Sequence, residues 1–210
     1  MRSPTSDRTD TSTANLGAFH LGLALALAGL SLWAAIRPVS RFDWFIENIF
    51  VWIAFVIIAS LCNRIRLSRT AYLFTACFLA LQIYASHYSY LPEIGNWVSS
   101  LFGSPRNSFD RVIHLAFGLL MFVPAMEYLE NAAGMSRRTA MFVAVLALTA
   151  FGAAYEIIEW SSMVVLNPEA GAAFVGLQGD PWDAQKDMAL ALLGSVVSFV
   201  AVSLRLRQSR

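Results

Sequence analysis

The chain has 210 residues, 57% of them hydrophobic and only 14% charged, with a formal net charge of +1 and a mean hydropathy of +0.57. Its apolar residues are gathered into long blocks, which excludes an ordinary water-soluble domain and indicates a polytopic membrane protein. The balanced charge gives no electrostatic reason to expect a nucleic-acid partner. Cys62 and Cys77, both in or beside apolar blocks, offer neither a disulfide framework nor a CxxC site.

In chain order, residues 1–15 (MRSPTSDRTDTSTAN) form a polar, Ser/Thr-rich tail with too few apolar side chains to order itself. Six blocks follow, 16–36, 44–61, 70–86, 112–129, 139–165 and 188–204. At ~1.5 Å per residue each is of a length to cross a hydrocarbon core of about 30 Å. The first is too long for a cleaved signal peptide, and the fifth is long enough to tilt or to extend past the membrane. The longest connection, residues 88–107, leaves no room for an aqueous domain, and no internal repeat is visible. The expected architecture is all-α: a six-helix transmembrane domain over 16–204, followed by a basic tail over 205–210.

Basic residues orient the bundle. With the N-terminus in the cytoplasm, ten of the fifteen lysines and arginines lie inside: Arg2, Arg8, Arg64, Arg66, Arg69, Arg137, Arg138, Arg205, Arg207 and Arg210. Arg37, Arg41, Arg106, Arg111 and Lys186 fall outside. Two to one is a usable positive-inside bias, so both termini are expected in the cytoplasm. On that topology ten of the fourteen acids sort to the other side, and only Asp7, Asp10, Glu127 and Glu130 lie inside. Asp43, Glu47, Glu93, Asp110, Glu156, Glu159, Glu169, Asp180, Asp183 and Asp187 all occupy the outer side or the outer half of a span. The positive-inside rule does not require this, because acids contribute little to it. A shared site would.

Three helices supply pairs at helical spacing. RNSFDRVIHL opens the fourth block with Asp110 and His114 at i,i+4; YEIIEW ends the fifth with Glu156 and Glu159 at i,i+3; DPWDAQKDM begins the sixth with Asp183 and Asp187 at i,i+4. Residues so spaced share a helix face. A carboxylate within the bilayer costs at least about 2.5 kcal/mol on insertion scales and must face the bundle interior or a wet cavity. These six residues are the candidate catalytic set. His114, Glu156, Glu159, Asp183 and Asp187 are the candidate ligands for one divalent metal ion, and His87, Tyr88, Arg111, Gln178, Asp180 and Gln185 form the periphery. Each has a structural alternative. Asp180 before Pro181 reads as an N-cap, Asp110 and Asp183 as partners of a helix dipole, and His114 as an interhelical hydrogen-bonding residue. Glu47 could pair with Arg41 or reach water. Gly118, Gly152 and Gly194 are expected to allow close helix packing.

The ordered motifs HYSY, RNSFDRVIH, YEIIEW and GLQGDPWDAQKDM, with Gly194 soon after, resemble the YjdF-like family of uncharacterised bacterial inner-membrane proteins. Their order, an Asp-x-x-x-His helix start, a glutamate pair and an aspartate-led last helix, is distantly similar to VanZ-like membrane proteins, some linked to glycopeptide-antibiotic resistance. Neither resemblance implies a defined reaction. Three function classes follow from the residues. The first is a metal-binding or acid–base protein acting on a lipid or other amphiphilic small molecule at the extracytoplasmic side. The second is a small transporter or proton relay, and the third a charged interhelical network of purely structural use. HExxH, phosphatase-type Arg/His and serine-nucleophile signatures are absent. Membrane lipids are the expected partners.

Overall fold

The computed structural model describes residues 5–61, 65, 67–101, 103, 105–165 and 180–208, with the backbone alone for 5–16, 59, 61 and 162–164. Among these residues there are seven helices and no strand: α1 (Thr5–Ala34), α2 (Arg41–Leu61), α3 (Arg69–His87), α4 (Glu93–Leu101), α5 (Phe109–Ala133), α6 (Arg137–Val165) and α7 (Asp183–Gln208). Four contain described stretches long and apolar enough to cross a membrane: Gly17–Ala34, Phe109–Ala133, Arg137–Ser161 and Asp183–Gln208. Two further blocks read as spans, 44–61 and 70–86, coincide with α2 and α3. Thr75, Gln82 and Ser86 dilute the apolar character of α3 and lie on its buried face.

The helix ends follow from local chemistry. Ser68 caps α3, its hydroxyl accepting the Ala71 N–H at 3.1 Å, while the Ser68 N–H donates to Glu127 Oε2 of α5 at 2.7 Å. The cap thereby ties two helices together. Helix α5 stops at Gly134, whose φ of 63° is a left-handed conformation that glycine adopts without a Cβ penalty. Helix α6 starts after Ser136, which accepts the Thr139 N–H at 3.3 Å.

Helix α5 is central. It packs against α3, α4, α6 and α7, while α1 reaches the bundle through α3, and α2 packs on α3 and touches α6 through Glu47, Phe50 and Tyr155. The α5–α7 contact is the closest. A Cβ on Gly118 would collide with the Ala191 carbonyl and Ser195 nitrogen, and one on Gly194 with the Leu115 carbonyl and Leu119 nitrogen. The Ser198 hydroxyl then donates across the contact to the Leu119 carbonyl at 2.7 Å. Two glycines thus let the helices approach backbone to backbone, as expected of small residues in a membrane interface. Gly152 is looser, with only Ala191 Cβ at 3.3 Å.

The connection 88–107 contains α4. Gly95 and Ser99 face inward there, and Ile94, Trp97 and Leu101 face out, the pattern of an interfacial amphipathic helix. Asn107 fixes it to the start of α5, donating to the Pro92 carbonyl at 2.8 Å and Asn96 Oδ1 at 2.9 Å and accepting the Phe109 N–H at 3.0 Å. The first turns of α5 are therefore anchored before its acid and histidine appear. The opposite end of α5 is dry: Phe122 and Met126 pack with Ala140, Met141, Ala144 and Leu148 of α6. Leu25, Leu32, Val56, Phe142, Leu146 and Phe151 are exposed, a surface suited to lipid rather than water.

Candidate functional site

The buried face of α7 consists of Asp183, Asp187, Ala191, Gly194, Ser195 and Ser198. Its small residues bring α7 onto α5, and its two aspartates are carried with them. Asp187, 1% exposed, arrives beside Asp110 and His114, the latter 5% exposed. One ligand atom from each of Asp110, His114 and Asp187 lies within 4.8 Å of the others. Helix α6 completes the wall with Glu156 and Glu159, both buried. His114 Nε2 lies 3.0 Å from Glu156 Oε1 and 3.7 Å from Asp110 Oδ1.

Two carboxylate oxygens here, Asp187 Oδ1 and Glu156 Oε1, are buried without a hydrogen bond. The Glu156 oxygen has the His114 ring beside it; the Asp187 carboxyl has the Asp183 carboxyl within reach, a neighbour that can donate only if one of the two is protonated. Buried polar atoms are nearly always satisfied, so an orphaned carboxylate oxygen calls for an explanation such as a bound ion. Of the five candidate ligands, Asp183 is engaged elsewhere, and Asp110, read as part of the catalytic set, stands among the ligand atoms.

A second tier lies one turn along α7. Asp183 binds Arg106 through a short direct contact and lies 3.5 Å from Arg111 Nη2. Asp180 binds Arg111 directly, and its Oδ2 is 2.6 Å from Lys186 Nζ and 3.9 Å from Arg106 Nη1. Its Oδ1 accepts the Trp182 N–H at 3.1 Å. The Trp182 bond is the capping bond expected of Asp180 before Pro181, and the Lys186 N–H donates to the Trp182 carbonyl at 3.1 Å as α7 begins. The Lys186 hydrogen bond, then the Trp182 N–H and the Arg111 contact, hold the Asp180 carboxyl down at about 2. A depressed carboxyl stabilises the fold above its unfolded value of about 3.9, and that contribution is lost as pH falls through the folded value. The wild-type melting temperature should therefore exceed that of Asp180→Asn at neutral pH, and the gap should close as a pH series approaches about 2.

Glu47 joins the interior, contrary to its expected pairing with Arg41 or water. Only 3% exposed, it accepts at Oε2 from Tyr155 at 2.8 Å, Tyr90 at 3.1 Å and Gln82 at 3.3 Å. Arg41 donates to the Ala35 carbonyl. The Tyr155 ring lies 6.0 Å from that of His114, so the Glu47 cluster adjoins the candidate site. Burial first, and then the charge of Glu47, push the Tyr90 hydroxyl well above the usual tyrosine range, so it remains a donor. The available signals were Gln82 in an apolar block and Tyr155 next to Glu156.

The remaining peripheral residues are placed apart. His87 Nδ1 lies 2.9 Å from the Ala34 carbonyl and the ring stacks on Trp33 at 4.5 Å, while Tyr88 packs against Tyr84 and His87. These residues brace α3 on α1. Gln185 is exposed on α7, and Gln178 lies outside the described residues.

Residues 19–208 match the family described as "Predicted membrane protein (DUF2238)". The chain belongs to this family. It is 29% identical over 181 residues to "Inner membrane protein YjdF" of Escherichia coli (strain K12), covering 84% of this chain and 85% of that protein. No solved structure matches. The YjdF-like resemblance carried by four motifs thus extends over nearly the whole helical region. Together with the apolar helices, it places the protein in the inner membrane as a multi-pass protein.

An imidazole with several carboxylates is a donor set for zinc, manganese or magnesium. Two ligands each about 2.0–2.2 Å from one ion are at most about 4.4 Å apart, so donor atoms within 4.8 Å need contract by only a few tenths of an ångström. The residues present fit a divalent cation.

Proposed function

We propose that this inner-membrane protein binds one divalent cation through Asp110, His114 and Asp187 and acts on a lipid or other amphiphile that reaches the site from the extracytoplasmic leaflet. The observations that carry the reading are that Asp187 has a buried carboxylate oxygen, Oδ1, with no hydrogen bond, and that its carboxylate offers a ligand atom within 4.8 Å of those of Asp110 and His114. A bound ion would polarise a carbonyl or phosphoryl oxygen or acidify a bound water. Glu156, beside His114, is placed to accept a proton, and Glu159 is buried one turn along the same helix.

Transport is the weaker reading because the far end of α5 and α6 is closed by the apolar cluster around Phe122 and Leu148, which offers no polar path onward. The structural network is favoured for Asp180 and Asp183, whose arginine and lysine partners are in place. It does not account for the unbonded oxygen of Asp187.

Metal analysis of the purified protein tests the proposal. About one divalent ion per chain is expected, removed by a chelator and restored on reloading. A chain that takes up none after reloading contradicts it.

The site faces outward if the N-terminus is inside, whether or not α2 and α3 also cross as a pair, and the arginine distribution supports six spans with both termini inside. Reporters active only in the cytoplasm should work when fused after Arg66, Arg138 and Arg210 and fail near Asn96 and Gly171. Cytoplasmic activity at position 171 would place the site on the other face.

A further inference from the structure

Three cations from two stretches of the chain converge on one oxygen. Asp180 Oδ2 lies 2.6 Å from Lys186 Nζ and 3.9 Å from Arg106 Nη1, and Arg111 Nη2 contacts it directly. Capping a turn requires only the Trp182 N–H, which the other Asp180 oxygen takes. Arg106 and Arg111 also hold Asp183, so among the described residues three cations and two carboxylates form one ion-pair cluster. Arg111 Nε is in addition a buried donor without an acceptor. A guanidinium fork with an unfilled donor and a neighbouring ammonium is the chemistry that recognises a phosphoryl group.

The position gives this chemistry a purpose. The cationic tier lies one turn of α7 from Asp187, four residues or about 6 Å along the helix. Arg111 directly follows Asp110 in α5. We propose that Arg106, Arg111 and Lys186 form a binding site for the phosphoryl group of an amphiphile, in which the Asp180 carboxylate occupies the ligand's place until it is displaced. This rests on the reading of the deeper tier as the reacting centre and adds the substrate class. The substrate carries a phosphate, and its reacting bond lies about one helical turn deeper than that phosphate. Exchange of one anion for another leaves the local charge nearly balanced. Without a ligand, Asp180 keeps three cations from repelling one another; with one, it competes. Asp183 stays on Arg106 and holds that guanidinium in place.

Binding to the full chain in uncharged detergent micelles tests this, read by native mass spectrometry. The probes are short-chain phosphatidic acid, diacylglycerol with the same chains, and inorganic phosphate. Phosphatidic acid should bind at least about tenfold more tightly than diacylglycerol. Asp180→Asn, which removes the competitor, should tighten phosphatidic acid binding by at least about threefold, and Arg111→Gln should weaken it by at least about tenfold. Lys186 is half-exposed, so Lys186→Gln will fold and should weaken binding by at least about threefold. Inorganic phosphate that competes in the millimolar range identifies free phosphate as a sufficient source of the ligand chemistry; failure to compete identifies the lipid.

Equal binding of diacylglycerol overturns the proposal. So does Asp180→Asn with unchanged affinity alongside a Lys186→Gln variant that binds like wild type, which would leave the cluster a structural clamp. Metal content measured on the same preparations keeps the two readings separable. Selective phosphatidic acid binding by metal-free protein that cannot be reloaded retains the anion site and removes the metal centre.

Discussion

Asp187→Asn and His114→Ala should each abolish divalent-metal binding while leaving a folded protein. Changes in the residues that merely orient metal ligands cost about 10–100-fold in affinity, so loss of a ligand should cost at least about 100-fold. The readout is a thermal melt with and without metal. An ion at 100 times its dissociation constant stabilises a protein by about 2.7 kcal/mol, a shift that wild type should show and both variants should lose. The metal-free melts separate the metal centre from a structural lock. Asp187 Oδ1 has no hydrogen bond to forfeit, and Asp110, Glu156 and Asp187 are gathered around a single imidazole. Without metal, Asp187→Asn should therefore melt at or above the wild-type temperature. A lock would give the reverse, because breaking a buried ion pair leaves its partner uncompensated at a cost of about 3–5 kcal/mol.

Gly118→Ala should be among the most damaging single-methyl additions in the chain. Its Cβ would meet the Ala191 carbonyl and the Ser195 nitrogen, and backbone cannot rotate away as a side chain can. Overpacking costs about 1–3 kcal/mol, occasionally more, so a melting temperature lowered by several degrees is expected. The second effect is functional. Relief of the clash moves α7, and α7 carries Asp187, so metal affinity should fall although no ligand has changed. Gly194→Ala should behave alike from the opposite side. Gly29→Ala is the control: nothing lies within 4 Å of its added Cβ, and alanine is favoured in helices by up to about 1 kcal/mol. If Gly118→Ala melts and binds metal like Gly29→Ala, the close α5–α7 approach does not build the site.

Features carried by local spacing were legible in the sequence. The pairs Asp110/His114, Glu156/Glu159 and Asp183/Asp187 declare a common face by i,i+3 or i,i+4 periodicity, and small residues at 118 and 194 declare close packing. The structure brings Asp110, His114, Glu156 and Asp187 of this set together across three helices. Features that depend on distant partners were not legible. Glu47 looked like a neighbour of Arg41, but its strongest donor, Tyr155, is 108 positions away. Asp180 read as a cap because Pro181 follows it; its bond to Arg111 spans 69 positions, and no local pattern announces it. Helix α4 escaped notice because nine residues are too few to register as a block. His87 looked like a site histidine because it stands at the same end of its block as the acids, and the α1 backbone that claims it is 53 positions away.

The most direct measurement of the central claim is X-ray absorption at the edge of the bound metal, on the full chain loaded with zinc or manganese. One imidazole nitrogen and at least two carboxylate oxygens are expected at about 2.0–2.2 Å, with the nitrogen signal gone in His114→Ala. A spectrum of oxygen ligands alone, unchanged by His114→Ala, would contradict the assignment and place the ion elsewhere on the protein.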